Sequence, residues 1–345
     1  MTAMPLDPVL TLMLEEAGSL PGRVLVVDDP DGALVRAVAD TGAQVRAWND
    51  DVREENGVPL EARLTGSIAD WAPDLVLWRL PRSLGALEDY AQTLANELPA
   101  HARVLAGGRI KHMTPGQNTV LGRSFADVSA SLGRQKSRVL RASSPLPGPQ
   151  RWPQRRYLPE VGLTAVAHGA VFATNRLDPG THLLLRTLAR VASEPEGSIR
   201  QTRGTALDLG CGSGLIAAWL ASVGWVTTAT DVSRQALLSA QLTAHANHTE
   251  VALRRADGLA GVAPDSFDLI ASNPPFHRGA AKDSAPAFAM IAAAKTVLRP
   301  GGELWLVFNS HLPYLPALRR HVGPTNIEAQ DRSFIVTRSL KEPTG

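Results

Sequence analysis

Short apolar runs alternate with longer stretches of helical periodicity along the whole chain. In the C-terminal half, Thr205–Leu209, Val226–Thr230, Val251–Arg254, Phe267–Ser272 and Glu303–Phe308 read as strands. Between them, Leu215–Val223, Arg234–Ala246 and Ala285–Leu298 carry the apolar spacing of helices. Strand–helix alternation predicts a parallel, doubly wound α/β sheet. Pro300, Gly301 and Gly302 mark the turn that ends the last of those helices, and Ser333–Thr337 is expected as an edge strand.

The N-terminal half repeats this order. Val24–Val27, Val45–Trp48, Leu75–Leu80 and Val104–Ala106 read as strands, and Ser83–Leu98 as a helix. VLVVDDPDGAL resembles ALDLGCGSGLI, and DLVLWRLPRS resembles DLIASNPPFH, but the first half lacks a glycine loop and an Asn-Pro-Pro turn. The expected fold is therefore α/β, two tandem doubly wound Rossmann-like domains with the N-terminal one a degenerate duplicate. The alternative is two unrelated domains that share common strand patterns. ASSPLPGPQRWPQRRY, rich in Pro and Arg and without periodicity, reads as an extended linker. The expected domains are 1–141 and 158–345, with the linker at 142–157.

Composition narrows the class. With 345 residues and 44% apolar content the chain can bury two cores. No apolar run nears the ~20 residues of a membrane span, and the N-terminus lacks a basic signal-type region. One cysteine, Cys211, excludes an intramolecular disulfide and a cysteine zinc cluster, so the cytoplasm is the expected compartment; separately, a monomer is expected. Charge is lopsided: residues 1–100 hold 17 acids against 7 bases, and residues 101–157 hold 11 bases against one acid, Asp127. The basic block, with Arg134, Lys136, Arg138 and Arg141 at its centre, is either an RNA-facing surface or a solvated loop.

Two motifs carry chemistry. Asp208-Leu209 runs into Gly210-Cys211-Gly212-Ser213-Gly214 and then a helix. Such a loop admits positive φ and lets a ligand touch backbone at a helix N-terminus. The G-x-G-x-G spacing departs from the dinucleotide G-x-G-x-x-G and suits S-adenosylmethionine, although the loop alone does not separate the two cofactors. Asp208 is placed to hold the ligand's ammonium, directly or through water. Asp231, 17 residues past Gly214, either accepts the ribose hydroxyls or caps the next helix. Asp257 either accepts the adenine amine or begins a turn.

Ser272-Asn273-Pro274-Pro275-Phe276-His277 follows the fourth strand of this half, at the ligand-binding edge of the sheet. An exocyclic base amine is a poor nucleophile because its lone pair is delocalised. Two acceptors, the Asn273 side-chain oxygen and the Pro274 carbonyl, would hold its protons and turn the lone pair out of the ring. Consecutive prolines stiffen the turn, and Phe276 offers a stacking face. The catalytic candidates are thus Asn273, Pro274 and Phe276. No metal is needed, and His277 is either a proton relay or an ordinary histidine.

On these residues the chain resembles the class I S-adenosylmethionine methyltransferases, and more narrowly the two-domain bacterial ribosomal RNA guanine-N2 methyltransferases. DLGCGSG marks the class and SNPPFH the amino-group methylators. GAVFATNRLDPGTHLLL (169–185) and VFNSHLPY (307–314) resemble further family segments. The resemblance implies that Phe172 flanks the base, that Asp178, Gly180 and Thr181 lie near the cofactor, and that the N-terminal duplicate is inactive and binds RNA. Arg176 stands where the family usually has Gly. RIKHM (109–113) and RQKSRVLRA (134–142) look more like the large-subunit enzymes, so ribosomal RNA or a ribosomal subunit is the expected partner. The competing readings are an adenine-N6 or protein-glutamine methyltransferase, a non-catalytic RNA-binding module and an NAD-dependent oxidoreductase.

Overall fold

A computed structural model describes residues 7–20, 22–194, 204–274 and 285–342. Two compact units divide the chain: Met1–Pro153 with His168–Ala170, and Gln154–Ala167 with Val171–Gly345.

The first unit contains β1 (Arg23–Val27), β2 (Gln44–Trp48), β3 (Leu75–Arg79), β4 (Arg103–Arg109), β5 (Phe125–Ala130) and β6 (Ser137–Pro145). Their spatial order is β2-β1-β3-β4-β6-β5, with the first four parallel, β6 antiparallel to β4 and β5 antiparallel to β6. Both faces of the sheet are covered. Val24 and Val26 enter one core, which helices Pro8–Ala17 and Ala33–Ala39 close. Leu25 and Val27 enter the other, under helix Leu84–Glu97. That two-sided burial is why β1 is an unbroken apolar run and not an alternating one.

The second unit contains the hairpin β7 (Gln154–Leu158) and β8 (Leu163–Ala167), then β9 (Thr205–Leu209), β10 (Val226–Asp231), β11 (Val251–Arg255), β12 (Phe267–Ser272), β13 (Leu298–Asn309), β14 (Thr325–Gln330) and β15 (Phe334–Leu340). The main sheet runs β11-β10-β9-β12-β13-β15-β14, parallel through β13 and antiparallel at β15 and β14. Leu207 and Leu209 face one core, and Ala206 with Trp305 the other. The hairpin is tied to helix Arg234–Ala246, since Val166 N donates to Thr243 Oγ1 at 3.0 Å.

Strand for strand the two sheets have one topology. The first lacks only a counterpart of β11, and in both the next-to-last strand in space is the one that reverses direction. The first unit is thus a copy of the Rossmann-like sheet with one edge strand missing.

Two expectations are corrected. The segment 142–157 is not one extended linker: Ala142 to Pro145 complete β6 against β5, and Gln154 begins β7. These strands are rich in exposed polar positions, which hid their periodicity. The connecting residues 146–153 are themselves held, with Gly148 N donating to Asn96 Oδ1 (2.9 Å) and Arg151 N to Gln92 Oε1 (2.7 Å). The strand expected over 333–337 is not at the edge. It lies between β13 and β14, and the sheet's edge strand is the largely solvent-facing β14, which gave no apolar signal.

Candidate active site

The C-terminal ends of β9, β10 and β12 converge on one edge of the second sheet. The glycine loop leaves β9 there, and Gly210 N and Cys211 N both donate to the Thr230 carbonyl (2.9 and 3.0 Å). Gly210, Gly212 and Gly214 all have positive φ, at 75°, 52° and 77°. Among the described residues, a Cβ at Gly210 would meet nothing within 4 Å, whereas one at Gly214 would sit 2.6 Å from Cα and Cβ of Ala240. Gly210 therefore borders open space, and Gly214 lets two helices touch. Ser272 Oγ donates to the Leu209 carbonyl at 2.6 Å and ties β12 to the root of the loop.

Asp208 is wholly buried. Its Oδ2 accepts from Ala217 N at 2.9 Å, in the first turn of helix Leu215–Ser222, and its Oδ1 has no hydrogen-bond partner among the described residues. Burial pushes its carboxyl up to about 7, opposed by the Ala217 N–H and reinforced by the charge of Asp231. The half-buried Asp231 accepts from Gly212 N through Oδ2 and from Ser233 N through Oδ1, each at 3.0 Å. It holds the loop, while Ser233 caps helix Arg234–Ala246 in its place. Asp257 is exposed, two residues past β11, and its carbonyl accepts from Ala260 N in a turn.

Asn273 is the centre of an arrangement that sequence spacing did not show. Its Nδ2 donates to Asp178 Oδ2 (2.8 Å) and Thr181 Oγ1 (2.9 Å). Asp178 caps helix Pro179–Ser193, and the same Oδ2 accepts from Thr181 N at 3.0 Å. A carboxylate is acceptor-only, so the amide must turn its NH2 toward Asp178 and its oxygen away. Among the described residues, no donor occupies that oxygen. Asp178 and Thr181, expected near the cofactor, are thus partners of Asn273. Gly180 is buried beside them, and a Cβ there would lie 3.1 Å from Asp178 Oδ2 and 3.2 Å from Phe334 Cε1. The Asp-Pro-Gly-Thr string signals a helix start, but nothing in it points to a partner 95 residues away.

Phe172 is 74% exposed. Ala173 and Thr174 take left-handed conformations just before Arg176, where the family glycine would stand. Pro275, Phe276 and His277 lie outside the described residues.

Of the four basic residues expected on one RNA-facing surface, Arg134 and Arg141 come together beside helix Pro8–Ala17, but Arg138 does not join them. Arg138 and Arg141 are three apart on β6 and so project from opposite faces. Arg134 Nη1 pairs with Glu15 Oε2 at 2.7 Å and Arg141 Nη2 with Glu16 Oε2 at 2.5 Å, so the basic and acidic blocks partly answer each other.

Residues 162–338 match the family model described as Methyltransferase small domain, and residues 7–145 the one described as RLMG N-terminal domain. A ribosomal RNA large subunit methyltransferase G of Streptomyces coelicolor is 36% identical, covering 96% of this chain and 91% of its own. The protein of the same name from Pseudomonas aeruginosa is 32% identical over 97% and 92%. The chain belongs to the ribosomal RNA large subunit methyltransferase G family. In fold the enzyme is similar to a T. thermophilus 16S rRNA N2 methyltransferase solved with S-adenosylmethionine and guanosine. The TM-score is 0.80 at 24% identity, covering 97% of this chain and 92% of that one. The enzyme is an S-adenosylmethionine-dependent methyltransferase, and its residues fit that cofactor. The unpartnered, buried Asp208 Oδ1 suits a cationic ammonium, and the open space at Gly210 is the kind of cradle a Cβ would fill.

Proposed function

We propose that the enzyme methylates the exocyclic N2 of a guanine in large-subunit ribosomal RNA, as a monomer in the cytoplasm. The observation that supports this most is the Asn273 amide, held by Asp178 and Thr181 so that it offers an oxygen acceptor beside the glycine loop. Gly210, Gly212 and Gly214 shape the cofactor cradle. Asp208 faces the ammonium, Asp231 takes the ribose and Asp257 the adenine amine. S-adenosylmethionine supplies an electrophilic methyl when bound. Asn273 Oδ1 and the Pro274 carbonyl accept the amine's two N–H bonds, which orients its lone pair and preorganises the acceptors before transfer. Phe172 and Phe276 stack the base. The single buried thiol, and the absence among the described residues of any helix long and apolar enough to cross a membrane, agree with a cytoplasmic site of action.

The deciding experiment supplies labelled S-adenosylmethionine with large- and small-subunit RNA, naked and assembled, from cells lacking the enzyme. Labelled N2-methylguanosine in large-subunit RNA is expected. N6-methyladenosine or methylated protein glutamine as the product would replace this reading. Light scattering should report the mass of one chain.

Asp178 makes a separable contribution. Asp178→Ala removes the helix cap, at a cost of about 1 kcal/mol, and releases the Asn273 amide. A fall in kcat of about 10- to 100-fold is expected, from the loss of a charge-assisted bond to the clamp, with cofactor affinity little changed. A kcat within twofold of wild type would assign Asp178 to the helix alone.

The raised Asp208 carboxyl also has a measurable sign. Between about pH 4 and 7 the folded enzyme keeps a proton there that the unfolded chain has released. Stability from this group is therefore full below that window and lost as pH rises through it. A cation bound at Oδ1 favours the carboxylate. Cofactor binding at about pH 6.5 should then release a proton, and affinity should rise toward pH 8. Calorimetry in buffers of different ionisation enthalpy counts that proton, and Asp208→Asn should abolish it. No release in the wild type would take Asp208 out of the ammonium site.

A further inference from the structure

Among the buried residues of helix Leu84–Glu97 is one acid, Asp89, 2% exposed between Leu87 and Ala91. Burying a carboxylate costs folding energy unless hydrogen bonds return it. Here they come from a distant part of the chain. Asp89 Oδ2 accepts from Gly169 N at 2.8 Å, and His168 Nδ1 lies 2.9 Å from the same oxygen. A carboxylate only accepts, so His168 carries a proton on Nδ1 and donates it to this bond. Residues 168–170 pack within the first unit, although the chain enters them from β8 and leaves them into Val171 of the second. Gly169 is buried against the first turn of the same helix, where a Cβ would fall 2.0 Å from the Gly85 carbonyl oxygen. Two hydrogen bonds and a contact that only glycine can make thus fix residues that lie outside any strand or helix.

The chain that follows these residues flanks the candidate active site. Val171 is buried, and a Cβ at Gly212 of the glycine loop would lie 3.9 Å from its Cγ1. Two tight turns come next, closed by Thr174 N on the Val171 carbonyl and by Arg176 N on the Ala173 carbonyl, both at 3.0 Å. Ala173 and Thr174 are left-handed inside them. Such a conformation is costly and persists only where the surroundings fix the chain. Downstream the chain is fixed by Asp178, which caps helix Pro179–Ser193 and accepts from Asn273. Upstream it is fixed by Asp89, through Gly169. Phe172, 74% exposed, has too little packing of its own to set its direction, so the backbone on either side must set it.

We infer that Asp89 is a positioning residue for methyl transfer: its bonds to His168 and Gly169 fix the backbone that aims Phe172 at the base. The inference rests on the stacking role proposed for Phe172 and adds the group that sets it. D89A is compared with D89N, whose amide oxygen can still accept from both donors. Hydrogen exchange of the 168–176 peptide should rise in D89A and stay at the wild-type level in D89N, with the sheet of the second unit unchanged in both. For large-subunit RNA, kcat/KM should fall about 10- to 100-fold in D89A and stay within about twofold of wild type in D89N. Affinity for S-adenosylmethionine should hold in both. G169A pushes the same segment off the helix with the acid intact, and should reproduce the exchange and rate losses of D89A. An acid that serves the fold alone would slow F172A as much as it slows the wild type. Acting through Phe172, it leaves D89A/F172A no slower than F172A. Equal losses in the two backgrounds would overturn the proposal, as would unchanged exchange in D89A or a D89N as impaired as D89A. If F172A alone transfers at the wild-type rate, the stacking role fails, while exchange and rate in D89A, D89N and G169A still decide whether Asp89 holds this segment for catalysis.

Discussion

Replacing Asn273 with alanine is expected to lower kcat by about 10²–10³-fold, the scale seen when one preorganised polar group is removed from a reacting centre. Affinity for S-adenosylmethionine should stay within about twofold. Two bonds from Nδ2, at 2.8 and 2.9 Å, position this side chain, and truncation deletes both along with the acceptor they orient. The cost to the fold is small, about 1 kcal/mol, because Asp178 keeps the Thr181 N–H and is only half-buried. Single-turnover methyl transfer with cofactor in excess separates the two effects. A loss that appears wholly in cofactor binding, or a rate near wild type, would mean that Asn273 is a structural cap on β12.

Gly214→Ala is expected to destabilise the enzyme by about 2–6 kcal/mol. Backbone strain at φ 77° contributes about 1–3 kcal/mol. Overpacking adds about 1–3 more, because the new Cβ meets Ala240 backbone at 2.6 Å and the helix must move. Gly210→Ala shares the strain, at φ 75°, but meets nothing within 4 Å among the described residues. Its fold cost should be that strain alone, about 1–3 kcal/mol, while its methyl group occupies the cofactor's space and weakens binding at least tenfold. Thermal melts and calorimetry on the pair give the comparison. If Gly210→Ala binds the cofactor normally, the open space beside it is not the cradle. If Gly214→Ala melts like wild type, the helix contact is not tight.

Both sheets were legible because their strands are buried on two sides and their helices are amphipathic. Apolar runs such as VLVV and ALDL have few other uses. The glycine loop and Asn-Pro-Pro were equally legible, since each is a local solution to a local problem of turn geometry. The pairing of β5 with β6 was not, because most of the side chains on β5 face solvent and its order comes from a ladder of backbone bonds. The same holds for β14. The charge blocks misled for a related reason. Counting over 100 residues buried Arg79 and Arg82 in an acidic average, yet strand ends carry them to one cavity with Lys136. Strand alternation and the two glutamates of helix Pro8–Ala17 took Arg134 and Arg141 elsewhere.

By itself, then, the sequence determined the fold class, the cofactor loop and the presence of an amide-bearing turn, since each depends on residues within a few positions of one another. Which way that amide faces was decided only by the tertiary structure, through a carboxylate 95 residues away that can accept hydrogen bonds and not donate them. The same is true of the cavity that Arg79, Arg82 and Lys136 line. Its charges become neighbours only when parallel strands bring their C-terminal ends to one edge.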